Sequence, residues 1–284
     1  MESEIWQRKL VTLPVVRIES GSGQCLDDLV AAETPLTVVL NGTEVATILS
    51  SLGEPEELAL GFLLSEGIIA PESESYSLKF NPRSGSLRVS VPEKYVLFEG
   101  DHGARLVGSG CSNAVPYYRG TDATGIHPVD SRLEIYSHHL TRLMKEFQKS
   151  GLAFLESGGT HSCALCNQES ILLIVEDIGR HNALDRIAGR CFMRAIPTAD
   201  KIVLTTGRIS SEIVFKVARL HAPVIVSRSA PTSLAVDAAG KLGITVVGFA
   251  RGKRMNVYTH AQRVVQLTES RADMLGPGCQ VGGI

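Results

Sequence analysis

The chain has 284 residues, six of them cysteine, and a formal net charge of −2 at pH 7. That length supports one large domain, or one large and one small, around a sizeable core. A charge so close to zero excludes a chain-wide nucleic-acid field, so any anion site needs a local cluster of Lys and Arg.

The opening residues, MESEIWQRKL, carry charge throughout. They lack the apolar stretch of about 7–15 residues that marks a secretory signal. No run reaches the roughly 18 apolar residues of a membrane helix. A cytoplasmic location is therefore expected, with no membrane and no nucleic acid as partner. In a reducing compartment the cysteines are expected as thiols. The Cys-x-x-Cys pair Cys163 and Cys166 then points to redox, metal or sulfur chemistry.

In chain order, residues 1–105 predict a small α+β domain. Residues 35–40 and 45–49 are apolar, β-branched runs separated by Asn41-Gly42, the strongest short signal for a hairpin. Pro55-Glu56-Glu57-Leu58 opens a helix, because proline suits the first turn and carboxylates suit the positive end. Leu58, Phe62 and Leu63 recur at helical spacing, and Gly67 closes the segment. Residues 77–91 alternate around Arg83-Ser84-Gly85 and predict a second hairpin. Residues 106–132 predict a flexible, cysteine-bearing loop. Residues 133–284 predict an α/β domain that begins with a helix over 133–149. Strands at 171–175, 201–205, 224–226 and 244–249 then alternate with helices at 182–193, 211–220 and 231–243. Apolar strands alternating with helices imply a mostly parallel sheet covered on both faces. Ligands of such sheets bind beyond the carboxyl ends of the strands.

Every one of those strand ends delivers arginine. Arg180 and His181 follow the first, Arg208 the second and Arg228 the third. Phe249, Ala250, Arg251, Gly252, Lys253 and Arg254 close the fourth. Four such loops on one sheet edge make a basic pocket with available backbone N–H groups, which suits phosphate. Neither a P-loop nor a GxGxxG is present. His181 fits a general base, a ligand contact or a helix cap, and its strand-end position favours the ligand contact.

Cys111 lies in Gly108-Ser109-Gly110-Cys111-Ser112-Asn113, where a thiol is accessible and its reactivity depends on thiolate formation. His161, Cys163 and Cys166 are zinc-ligand types, three where a structural site wants four. Zinc deaminases pair H-x-E with P-C-x-x-C. Here Cys163 stands at the glutamate position and no P-C-x-x-C occurs, so a zinc hydrolase of that type lacks its acid and no zinc is expected. The alternative is that Cys163 and Cys166 are small core residues on a buried segment.

Glu176-Asp177-Ile178-Gly179-Arg180-His181-Asn182-Ala183-Leu184-Asp185 resembles the signature of the formate dehydrogenase accessory sulfurtransferase family, FdhD. So do Thr206-Gly207-Arg208 with Ser211-Glu212, Ser227-Arg228-Ser229-Ala230-Pro231-Thr232, Gly61-Phe62-Leu63-Leu64-Ser65-Glu66-Gly67, and Gly248-Phe249-Ala250-Arg251-Gly252-Lys253-Arg254. The match is collinear over nearly the whole chain. It implies a cytidine deaminase-like three-layer core with a mixed sheet, without the catalytic zinc, beside a smaller N-terminal α+β domain. It implies a sulfurtransferase that passes persulfide sulfur from a cysteine desulfurase to the molybdenum (or tungsten) bis-molybdopterin guanine dinucleotide cofactor of formate dehydrogenase. By the same resemblance Cys111 carries the persulfide, and residues 249–254 bind the cofactor, with Arg180, His181, Arg208 and Arg228 lining the same edge. The family's habit implies a homodimer.

One departure stands out. The family's loop usually reads C-G-x-C-G, whereas Cys111-Ser112-Asn113-Ala114 lacks the second cysteine. A single thiolate still accepts and hands on a persulfide, because exchange proceeds by thiolate attack on a sulfur–sulfur bond. The alternative function is a non-catalytic chaperone that holds the cofactor without moving sulfur. Cys163 and Cys166 stand where the family has small apolar residues, either as a substitute relay or as neutral replacements.

Overall fold

The computed structural model of the chain describes residues 9–51, 53–72, 75–97, 106–107 and 126–266. The chain enters through an antiparallel hairpin, β1 (Leu10–Glu19) and β2 (Ser22–Ala31), closed by Ser20-Gly21. Both of its faces are largely exposed. With no buried face there is no alternation to read, which is why the sequence does not announce it.

β3 (Thr34–Leu40) and β4 (Thr43–Ser50) form the predicted Asn41-Gly42 hairpin. Both turn residues have positive φ, 47° and 90°, as this tight turn requires. Next comes α1 (Pro55–Ser65), with proline in its first turn and Glu56 and Glu57 behind it. The Ile68 amide donates to the Leu63 carbonyl at 2.8 Å and Gly67 to Leu64 at 3.0 Å, which ends the helix in a Schellman motif. β5 (Ser77–Asn81) and β6 (Ser86–Ser90) are the second predicted hairpin, and β7 (Leu106–Val107) completes a five-stranded sheet in the order β5-β6-β3-β4-β7. Leu36, Val38, Ile48, Leu87 and Val89 of this sheet bury against Leu58, Ala59 and Phe62 of α1.

Residues 126–132, at the end of the predicted loop, pack onto the second half of the molecule, where Val129 is buried. The helix predicted from 133 starts later. Residues 135 and 136 are extended as β8 (Ile135–Tyr136), paired to β15 (Val264–Val265), and α2 (Ser137–Ser150) follows, then α3 (Leu152–Ser157). The six-stranded sheet is built from β9 (His161–Cys166), β10 (Ile171–Asp177), β11 (Ile202–Thr205), β12 (Val224–Ser227), β13 (Thr245–Arg251) and β14 (Arg254–Val257). Its order is β10-β9-β11-β12-β13-β14. Helices α4 (Arg180–Met193), α5 (Ser211–Arg219) and α6 (Ser233–Lys241) connect it. α6 starts two residues after Pro231, because the Thr232 hydroxyl caps it by accepting from the Ala235 amide at 3.3 Å.

The expectation of a mostly parallel sheet is corrected. Only β11–β12 and β12–β13 are parallel, and β10–β9, β9–β11 and β13–β14 are antiparallel. The inserted strand is β9, a buried run whose apolar residues leave helix and strand undistinguished in sequence. The sheet is covered on both faces. Cys163, Leu165, Val203 and Ile225 face α4, α5 and α6, while Ala164, Cys166, Leu204 and Val226 face α2.

The two sheets meet through α1 and α4. A Cβ on Gly61 would lie 1.7 Å from the Asp185 carbonyl oxygen, and one on Gly189 2.0 Å from that of Glu57. Only glycine at both positions permits so close a crossing. Among the described residues no helix is long and apolar enough to cross a membrane.

Candidate functional site

Strand direction decides what gathers where. β9 runs antiparallel to both β10 and β11, and β11, β12 and β13 run parallel. The carboxyl ends of β10, β11, β12 and β13 therefore share one sheet edge with the starts of β9 and β14. That edge carries Arg180, His181, Arg208, Arg228, Arg251 and Arg254, with His161 at the head of β9.

The residues differ in setting. Arg180 opens α4 and is only 9 % exposed. A Cβ on Gly207 would come within 2.9 Å of the Arg180 Cβ and Cδ, so glycine at 207 leaves room for that side chain. Burial lowers the affinity of the Arg180 guanidinium for its proton, and the like charge of Arg208 adds to this. Two guanidinium groups so arranged make a positive locus that an anion relieves. Arg208 is exposed and Arg228 half-buried. The Arg251 Nε donates to the Arg228 carbonyl at 2.9 Å, which ties the third strand end to the fourth.

Residues 249–254 form a hairpin and not a loop. Phe249, Ala250 and Arg251 extend β13, Gly252-Lys253 is the turn and Arg254 opens β14. Gly252 has φ of 59°, the conformation that two-residue hairpins favour glycine for. The register slips between Gly248 and Arg251, placing a β-bulge at Phe249 and Ala250. Phe249 has φ of 51°, a strained value for an aromatic residue, held by its amide donating to the Ser229 carbonyl at 3.0 Å. Ala250 departs from expectation, because its side chain is buried in the core on the α2 side and only its backbone is left to meet a ligand. Arg251, Gly252, Lys253 and Arg254 are exposed at the hairpin tip.

A buried scaffold fixes the first turn of α4. Asp177 Oδ1 accepts from the Gly179 amide at 3.0 Å and from Asn182 Nδ2 at 2.9 Å. Its Oδ2 accepts from Arg186 Nε at 2.9 Å. Arg186 in turn donates to the carbonyls of Ser51, Gly53 and Glu54 at 2.7, 2.5 and 3.1 Å. At the neighbouring strand end, Ser227 Oγ donates to the Gly207 carbonyl at 2.6 Å. His181 Nε2 lies 3.0 Å from Glu212 Oε2 at the start of α5. His161 Nδ1 lies 3.4 Å from Thr206 Oγ1. Burial, with the nearby His181, holds the His161 ring below the ordinary imidazole value.

Cys111 lies outside the described residues. Cys163 and Cys166 are three apart on β9 and so face opposite sides of the sheet, one in each core. His161, Cys163 and Cys166 thus do not converge as one zinc ligand set, and among the described residues no three His, Cys, Asp or Glu are grouped to hold a metal ion. Asp177, Ser227 and Glu212 were not singled out by sequence for these roles. Beyond its place in the family signature, Glu212 carries only the signal of an acidic residue in a helix's first turn after Ser210, which names no partner across the site.

Comparison with known proteins adds a family. The model described as the FdhD/NarQ family matches residues 31–265. "Sulfur carrier protein FdhD" of Bacillus subtilis is 37 % identical over 250 residues, covering 88 % of this chain and 95 % of that protein. The protein of the same name from Listeria innocua is 38 % identical over 252 residues, covering 88 % and 97 %. A crystal structure from Desulfotalea psychrophila, assigned provisionally as a formate dehydrogenase accessory protein, superposes with a TM-score of 0.77 at 26 % identity, covering 91 % of this chain and all of that one.

Proposed function

The chain belongs to the FdhD/NarQ family, and from that premise we propose that it is a sulfur carrier for the maturation of formate dehydrogenase. In this reading a cysteine desulfurase presents a persulfide, and the Cys111 thiolate attacks its terminal sulfur. The desulfurase leaves as a thiolate and Cys111 becomes the persulfide. The substrate that receives the sulfur is the molybdenum (or tungsten) bis-molybdopterin guanine dinucleotide cofactor, bound at the basic edge before transfer to the catalytic subunit of formate dehydrogenase. The chain works in the cytoplasm as a homodimer. The mixed sheet order, with β9 alone reversed among the first five strands and helices on both faces, supports a cytidine deaminase-like core.

The observation that carries the cofactor half is the convergence of four arginine-bearing strand ends on one edge. The donor set fits a pyrophosphate. Arg180, Arg208, Arg228, Arg251, Lys253 and Arg254 supply charge, Arg180 from a cradle that glycine at 207 keeps open. The Phe249 bulge and the Gly252 turn bring backbone to the same place. For the sulfur half, burial of Cys163 and Cys166 argues against them as substitutes for the missing second loop thiol and supports Cys111 as the carrier.

The test is to incubate the protein with a desulfurase and 35S-labelled cysteine. Label should attach to the wild type and to a Cys163→Ala/Cys166→Ala variant and vanish from Cys111→Ala. Label that persists on Cys111→Ala would sink the assigned carrier. The second reading, a cofactor chaperone without sulfur transfer, draws on the absent cysteine at Ala114. Normal formate dehydrogenase activity in cells carrying Cys111→Ala would favour it.

A further inference from the structure

The basic edge holds one carboxylate that the proposed chemistry leaves unused. Glu212 Oε2 lies 3.0 Å from His181 Nε2. The two residues stand in the first turns of adjacent helices, His181 in α4 and Glu212 in α5, and both are partly exposed. We propose that Glu212 is a positioning residue for His181, and that the pair makes phosphate binding at this edge dependent on pH. The inference rests on the reading of the edge as a phosphate site.

The reasoning is one of donors and acceptors. An ionised carboxylate only accepts, so the ring nitrogen facing Glu212 must carry a proton. In the neutral ring Nδ1 is then a bare acceptor. Phosphate oxygens also accept, so neutral His181 offers them repulsion. One further proton turns Nδ1 into a donor and adds a positive charge. Without Glu212 the neutral ring is free to switch tautomer and present an N–H to phosphate. The carboxylate thus removes the neutral binding form and leaves the cation.

The adjacent His181 ring holds Glu212 below the ordinary carboxylate value, with burial opposing. Burial alone would raise Glu66, beyond the end of α1, but the Lys216 ammonium overrides it and keeps Glu66 ionised. His161, at the start of β9, is held below the ordinary imidazole value and is neutral above it. Arg180 beside the ring stays a cation.

The experiment measures GDP and inorganic pyrophosphate binding by calorimetry between about pH 6 and 9, using the full chain. Wild-type affinity, divided by that of His181→Asn to cancel the titration of the phosphate itself, should fall as pH rises, by up to about tenfold per pH unit. Glu212→Gln, whose amide both donates and accepts, should flatten that slope and not lower affinity throughout. A flat wild-type ratio, or an unchanged slope in Glu212→Gln, overturns the pair's role. If Arg251→Ala weakens GDP binding at the same time, the edge reading survives that failure. If GDP does not bind the wild type at any pH, both readings fall. A readout needing no variant fold is imidazole 15N NMR of the wild type. GDP should raise the titration midpoint of His181, and the neutral ring should carry its proton on Nε2. A proton on Nδ1, or no displacement by GDP, overturns the proposal.

Discussion

Cys163, Cys166 and Cys191 sit where burial disfavours the thiolate. Burial pushes the Cys166 thiol up to about 12 and the Cys191 thiol up to about 11, and raises Cys163 further still. At pH 8 each is a thiol in all but about one molecule in a thousand or fewer. Cys25 is exposed on β2. Iodoacetamide at pH 8, followed by peptide mass mapping, should modify Cys25 and spare Cys163, Cys166 and Cys191 until denaturant is added. Rapid labelling of Cys163 or Cys166 in the native protein would reopen them as sulfur carriers. The Cys-x-x-Cys spacing raises redox or metal chemistry by its types alone. Strand geometry answers it, since residues three apart on a strand face opposite ways.

At the scale of elements, the contact between α1 and α4 joins the two halves of the molecule. Gly61→Ala would drive a methyl group into the Asp185 carbonyl, 1.7 Å from its ideal position. Urea unfolding should show a loss at the upper end of about 1–3 kcal/mol, with Gly189→Ala behaving alike. Beside this crossing Lys216 is buried and its ammonium lies 2.8 and 3.0 Å from the Asp185 oxygens, 2.6 Å from Glu66 and 3.0 Å from Ser65 Oγ. Lys216→Met leaves the Asp185 carboxylate buried without its cation. The same measurement should register a loss of about 3–5 kcal/mol. Much of the element order is legible because caps and turns are local. Pro55, Asn41-Gly42 and Gly67 act through their own backbone, and each stands where its chemistry predicts. The β1–β2 hairpin was not legible, since both its faces meet solvent. α2 starts later than the helical period over 133–149 predicts, because Ile135 pairs with Val264, 129 residues away.

For the whole molecule, the acid and alkaline limits of stability follow from charges already named. Glu66 and Glu212 titrate below their ordinary value of 4.5, so their contribution is complete above 4.5 and is lost as pH falls beneath it. Lys216 titrates above 10.5, so its contribution is complete below 10.5 and is lost as pH rises past its folded value. Tm followed against pH should fall at both ends, and Glu212→Gln should reduce the acid-side fall. A profile unchanged by that substitution would show that the ion pair with His181 contributes nothing to the fold.

By itself the sequence determined the arginine at each of four strand ends, the glycines beside them and the family signature, because these are matters of residue type and local order. It also made the strands and most helices readable through burial period and caps. Tertiary structure alone decided that the four ends share an edge. That outcome depends on β9, which runs antiparallel between β10 and β11 and so lets both deliver their carboxyl ends to the same side. It alone turned residues 249–254 from a loop into a bulged hairpin with Ala250 facing the core. It alone set Glu212 against His181, because the distance between side chains on two helices follows from packing and not from their separation along the chain.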